Sequence, residues 1–328
     1  MKALEVQSLT GPDGIAVVEL PEPTADGGKI LITVEAAGVS FPDLLQSRGL
    51  YQVRPEPPFV PGIEMAGTVR TAPEDSGFAP GDRVCGMGQG VLAEVAVCRP
   101  GQLFHLPDEL TMEEGAALVM NYQTAVFCMV HRGGLTAGET VLILGASGGV
   151  GTSGIQVAKA AGAAQVIGLV STEEKAEVAM AAGADRTVVI SDTWKDDVLA
   201  VTDGRGVDLV YDPVGGDRFL DGIRSLARFG RLVVVGFAAG TIPEVKVNRL
   251  LLRNVSVVGA AWGEAVVAEP DLPARIHEEL LPMIRSGAVK PPIGQVFALD
   301  DAVDAFRALD ERTAVGKVIV RIAGEGEG

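Results

Sequence analysis

The stretch Val141–Ala163, VLILGASGGVGTSGIQVAKAAGA, decides how the rest of the chain is read. An apolar run suited to a buried strand ends at Leu144. Glycines follow at 145, 148, 149 and 151, and a helical stretch opens immediately after them. This is close to the pattern G-x-G-x-x-G between a strand and a helix, with Ala146 at the first position and Gly148 and Gly151 at the second and third. Without side chains, Gly148 and Gly149 let a pyrophosphate approach backbone N–H groups. Gly151 lets the helix lie close to the strand, and the helix N-terminus adds free donors and partial positive charge. The segment therefore reads as a dinucleotide-binding turn.

Outward from this turn, strand-like runs alternate with helical ones. TVLIL, AQVIGLV, TVVI, VDLVY, RLVVVG and VSVVGA are separated mostly by helical stretches, among them TEEKAEVAMAAGA and DRFLDGIRSLARFG. Six continuous apolar strands of this kind argue for an α/β fold with a doubly wound parallel sheet. Before residue 120 the pattern is different. Short β-rich runs such as KILITVEAAGV, DRVCGMG and LAEVAVC are punctuated by EPTADGG, APGD and CRPGQ, which predicts a small barrel or sandwich. After residue 263 a helix, a strand, a second helix and GKVIV do not extend the winding, and the chain is expected to return there to complete the first domain.

Composition narrows the function. Of 328 residues, 47% are apolar and 21% charged, as in ordinary globular chains. The net charge of −16 disfavours binding to nucleic acid. No apolar run approaches the length of a membrane span, and the polar N-terminus MKALEVQSLT reads as no secretory signal. Cys85, Cys98 and Cys128 are odd in number and widely spaced, which predicts buried, reduced thiols in a cytoplasmic protein. The terminal AGEGEG is expected to be frayed.

The strand AQVIGLV ends at Val170, where an NAD site would place an acidic residue. Here Ser171 follows, and Lys175 lies one helical turn on. Both suit a ribose 2′-phosphate and so NADPH. A metal is not expected. The only histidines are His105, His131 and His277, and there is no C-x-x-C. In PGIEMAG (61–67) the position before Glu64 is Ile63, so Glu64 reads as a structural carboxylate that needs a buried partner. Tyr51 is open to two readings, a donor to a substrate oxygen or a plain loop tyrosine. Tyr122 sits where the first domain hands over to the second, Tyr211 reads as packing, and Trp262 reads as pocket wall or core.

The ordered set GVSFPDLLQSRGLY (38–51), PGIEMAGTV (61–69), NYQTA (121–125), the glycine loop, DPVGG (212–216), GRLVVVGFAAG (230–240) and AVGKVIV (314–320) resembles the medium-chain dehydrogenase/reductase superfamily, and within it the zinc-free NADPH:quinone oxidoreductase branch. In that superfamily the residue at Ile63 is a zinc-binding histidine in the metal-bearing members. The resemblance implies a GroES-like substrate domain over 1–121 and 264–328 and a Rossmann domain over 122–263, with NADPH in the cleft and a homodimer formed through the Rossmann edge strand near VSVVGAA. It implies that Ser147, Gly148, Gly149 and Val150 cradle the pyrophosphate, that Arg312 joins Ser171 and Lys175 at the 2′-phosphate, and that Thr124, Phe237 and Ala238 lie by the nicotinamide. Phe41, Pro42 and Asp43 would line its other side. Many relatives have Asn at Ser40, and some have Tyr at Leu45, so a more apolar pocket is expected. The reaction expected is hydride transfer from NADPH, without zinc, to a quinone or similar activated carbonyl acceptor, with Tyr51, Ser40 or a water steadying the developing oxyanion. An enoyl or 2-alkenal reductase and a non-catalytic NADPH-binding protein are the alternatives.

Overall fold

The structure is a computed structural model that describes residues 1–322; the tail 323–328, expected to be frayed, lies outside the described residues. The described residues form two compact units, one of Met1–Met120 with 291–322, the other of Asn121–Lys290. The first unit contributes β1 (Lys2–Val6), β2 (Ile15–Glu19), β3 (Ile30–Val39), β4 (Glu64–Thr71), β5 (Arg83–Met87), β6 (Val95–Cys98) and β7 (Leu103–His105). The second holds β8 (Thr140–Leu144), β9 (Gln165–Val170), β10 (Arg186–Val189), β11 (Val207–Asp212), β12 (Leu226–Val234) and β13 (Ser256–Gly259), and the chain then re-enters the first with β14 (Ile293–Ala298) and β15 (Lys317–Arg321).

In the first unit, β14, β15, β3, β4, β5 and β7 are neighbours in that order, and β6 also pairs with β3. The long strand β3 shows why. Ile30, Ile32 and Val34 alternate with partly exposed residues, whereas Ala36–Val39 is buried throughout. Over that second half β3 is flanked by β15 and β4, both antiparallel to it. Side chains from β3, β4, β5, β15 and the helix Ala302–Asp310 form one apolar core, in which Phe306 is fully buried.

The second unit is a six-stranded, wholly parallel sheet in the order β10-β9-β8-β11-β12-β13. The chain runs outward from β8 in one direction and then resumes beside it with β11, so the winding reverses between β8 and β11. Ligands of open α/β sheets bind at such a point, beyond the carboxyl ends of the strands. All five residues of β8 are buried, as its unbroken apolar run requires.

Two boundaries differ from those read in sequence. The helix expected over 217–230 covers only Arg218–Ser225, and Leu226 already begins β12. Leu226 is fully buried in the core of this unit and pairs with Val207, and that tertiary contact overrides the helical pattern. The return to the first unit comes at 290/291, not at 264. The helix Leu272–Arg285 buries Leu272, Ile276, Leu280 and Ile284, and Gln123 Nε2 donates to Pro273 O at 3.1 Å, which ties it to the second unit.

Candidate active site

The glycine loop assigns a separate job to each glycine. Gly145, directly after β8, has φ +64°, a left-handed conformation that favours glycine. A Cβ on Gly151 would collide with Gly145 O and lie 2.7 Å from Ala146 Cα, so the helix Gly149–Ala160 could not sit this close to the turn. Gly148 differs, because its nearest atom would be Gly145 O at 3.7 Å. The space over Gly148 is open, at the N-terminus of a 12-residue helix whose first-turn N–H groups have no partner within the helix.

Ser171 is exposed immediately after β9, and Thr172 caps the helix Glu173–Ala181 by accepting from the N–H of Lys175 at 3.3 Å. Ser171 and Lys175 thus lie in one helix-opening turn at the carboxyl end of β9, adjacent to the strand that carries the glycine loop. Arg312 is exposed in the first unit, with φ +59°, in the turn after the helix Ala302–Asp310. Thr124 is half-buried at the end of the helix Val119–Ala125. Phe237 and Ala238 follow β12, and the N–H of Ala238 donates to Pro213 O at 3.1 Å. The turn they meet is held by Asp212, whose Oδ1 accepts from the N–H groups of Val214 and Gly215 at 2.9 and 2.8 Å. Burial pushes the Asp212 carboxyl up, against the pull of those two donors.

The first unit holds a second cluster. Ser40, Phe41 and Pro42 are half-buried where β3 gives way to the helix Phe41–Gln46. Asp43 is fully buried, and its Oδ2 accepts from the Ser40 N–H at 2.8 Å, so its carboxylate caps that helix. Its Oδ1 has no hydrogen-bond partner. Burial pushes this carboxyl up to about 7, with the Lys317 ammonium and the Ser40 N–H pulling the other way. Half-buried Tyr51 has its phenol raised by burial and by the charge of Asp43.

Glu64 has the buried partner that its sequence context demands. It is 0% exposed; Lys317 Nζ donates to its Oε2 at 2.6 Å and the N–H of Met120 to its Oε1 at 2.8 Å. Lys317 Nζ also donates to Ser40 Oγ at 2.7 Å. Sequence reading missed Lys317; the available signal was a lone cation opening the otherwise apolar strand KVIV. Among the described residues no group of three or more His, Cys, Asp or Glu could hold a metal ion. The three cysteines are buried, with their thiols raised by that burial. No described helix is long and apolar enough to cross a membrane.

Residues 26–108 match the alcohol dehydrogenase GroES-like domain and residues 149–280 the family described as zinc-binding dehydrogenase. The chain is 38% identical to quinone oxidoreductase-like protein 2 of Bos taurus over 297 residues, covering 90% of this chain and 85% of that protein. A probable oxidoreductase from Mycobacterium abscessus superposes with a TM-score of 0.91 at 41% identity, over 98% of this chain and 99% of that one. The quinone oxidoreductase of Thermus thermophilus, whose crystal structures include a complex with NADPH, gives 0.83 at 35% identity, over 98% of this chain and 100% of that one. A parallel sheet with a glycine turn at its switch point and a β-rich partner unit define a nucleotide-dependent oxidoreductase fold. The chain belongs to the medium-chain dehydrogenase/reductase superfamily, among its quinone oxidoreductase-like oxidoreductases.

Proposed function

We propose that the protein is a zinc-independent, NADPH-dependent reductase of quinones or similar activated carbonyl acceptors. The observation that carries this reading is the pairing of Glu64 with Lys317. The carboxylate beside Ile63 is engaged by an ammonium at 2.6 Å, a group that repels a cation and cannot ligate one. Ile63 stands at the ligand position, Glu64 is held by a cation, and the described residues contain no group of three or more His, Cys, Asp or Glu that could hold a metal ion, so in this reading polarising the acceptor falls to O–H and N–H donors.

The glycine loop does fit a dinucleotide. The open space over Gly148 is a cradle that a Cβ would fill, and the N–H groups opening the helix Gly149–Ala160 face an anion favourably. In this reading Ser147, Gly148, Gly149 and Val150 bind the pyrophosphate, and Ser171, Lys175 and Arg312 bind the 2′-phosphate. Thr124, Phe237 and Ala238 border the nicotinamide, as do Phe41 and Pro42. Asp43, fully buried, acts by fixing the helix that presents those two. When bound, NADPH supplies a hydride. The chain's own residues orient the acceptor and hold its oxygen: the Ser40 and Tyr51 hydroxyls donate to the oxygen on which negative charge develops, and solvent delivers the proton. Proximity does much of the remaining work.

Leu45, half-buried in the helix Phe41–Gln46, adds apolar surface and favours hydrophobic enones as alternative acceptors. Stopped-flow oxidation of NADPH with 1,4-benzoquinone and with 2-alkenals is the test. Turnover with quinone supports the proposal, a preference for 2-alkenals by orders of magnitude assigns the enone reaction, and tight NADPH binding with no acceptor reduced refutes catalysis. We also propose a homodimer formed through β13. It is the edge of its sheet, and Val247, Leu251 and Leu252, close before it in sequence, are 74%, 73% and 75% exposed. Sedimentation as a monomer at micromolar concentration would refute it.

A further inference from the structure

We propose that Lys317 is a positioning residue for the reduction, which holds and polarises the Ser40 hydroxyl so that its hydrogen is directed at the acceptor oxygen; this rests on the reductase reading above.

The strands make the arrangement. β15, β3 and β4 lie side by side, with Ile319 opposite Gly38 and Gly38 opposite Glu64. Residues two apart on a strand share a face, so Lys317, Gly38, Ser40 and Glu64 are brought to one face. Lys317 crosses the middle strand at Gly38, where no side chain stands. A Cβ there would lie 2.5 Å from Lys317 Cε and would collide with Ala116 O. The cation reaches Glu64 and Ser40 because that position is glycine.

The donor count then fixes the hydroxyl. Ammonium has only donors, whereas a hydroxyl has one donor and two acceptor sites. Ser40 Oγ accepts from Lys317 and therefore cannot donate back to it. Nor does a hydrogen bond run from it to the nearby carboxylate: Asp43 Oδ1 makes no hydrogen bond, and Oδ2 accepts from the Ser40 N–H. The hydroxyl hydrogen is left for an incoming oxygen, and accepting from a buried cation makes it a stronger donor. Glu64 balances the ammonium charge, with both groups at most 4% exposed.

A kinetic cycle tests the coupling, using Ser40→Ala, the charge-neutral pair Glu64→Gln/Lys317→Met, and the triple variant. Each of the first two should lower kcat with 1,4-benzoquinone about 10-fold, with the NADPH dissociation constant unchanged by fluorescence titration. The triple variant should be no slower than the slower of them by more than about twofold, because both changes remove one device. Ser40→Thr, which keeps the hydroxyl, should stay within about threefold of wild type. Losses that multiply to about 100-fold in the triple variant, or wild-type kcat in Ser40→Ala, would overturn the proposal.

If the charge-neutral pair does not fold, the 15Nζ resonance of Lys317 supplies the test. With NADP+ in place of NADPH, tetramethyl-1,4-benzoquinone should shift that resonance in wild type and not in Ser40→Ala. The same shift in both, or none in either, would overturn the proposal. A wild-type protein that reduces neither quinone nor enone defeats the functional reading and this inference with it; turnover with multiplicative losses defeats this inference alone.

Discussion

Gly148→Ala and Gly151→Ala should have opposite consequences, although the two glycines belong to one motif. Gly148 has φ −83° and ψ 169°, which any residue adopts, and an added methyl would come no closer than 3.7 Å to its nearest neighbour. The apo variant should therefore fold normally, because the gain of about 0.4–1 kcal/mol from a less flexible unfolded chain is offset by the poorer N-cap that alanine makes. Its methyl occupies the approach to the backbone donors, so NADPH should bind at least about 10-fold more weakly. At Gly151 the methyl would stand 2.7 Å from Ala146 Cα and press on Gly145 O, both backbone atoms that cannot rotate away. Overpacking costs of this kind are about 1–3 kcal/mol, and at about 2–4 °C per kcal/mol the apo protein should melt about 2–12 °C lower. Thermal unfolding of the apo proteins and fluorescence titration with NADPH read the two effects separately. Wild-type NADPH affinity in Gly148→Ala, or wild-type melting in Gly151→Ala, would refute this division of labour.

Lys317→Met alone strands a fully buried Glu64 and should cost about 3–5 kcal/mol by urea unfolding, whereas Lys317→Met with Glu64→Leu should cost much less. Lys175→Ala and Arg312→Ala should each weaken NADPH far more than NADH, by about 1–3 kcal/mol; equal weakening of both cofactors removes the 2′-phosphate assignment. Asp43 titrates near 7 in the folded protein, against an ordinary 3.8. The folded chain therefore keeps a proton that the unfolded chain has released. The resulting stability is complete below about pH 4 and disappears as pH rises through about 7. Asp43→Asn should remove that component, so wild type should lose more stability than the variant between pH 4 and pH 8 in denaturant titrations. Parallel pH profiles would contradict the buried-carboxyl account.

What could be read along the chain was what local contacts set. The strand, glycine turn and helix of Val141–Ala163 occupy one short stretch, so their geometry follows from residue types at fixed spacing. The six strand runs follow equally from their uninterrupted apolar character. The length of the helix after Asp217 was not legible, because the burial of Leu226 beside Val207 ends it. Nor was the return point at 290, because the amphipathic helix Leu272–Arg285 could have packed in either unit.

The site divides along the same line. Ile63 stands where the resemblance puts a zinc-binding histidine in the metal-bearing members, and Glu64 showed that a buried charge needs a partner, but neither named it. Lys317 is separated from Glu64 by 253 residues and from Ser40 by 277. Only the antiparallel register of β15 on β3, and the missing side chain at Gly38, bring the three together. By itself the sequence determined the nucleotide fold and the demand for a counter-charge, since both arise from neighbours along the chain. The tertiary structure alone decided which cation meets that demand and which hydroxyl it holds, because strand pairing is a contact between distant segments that no local pattern encodes.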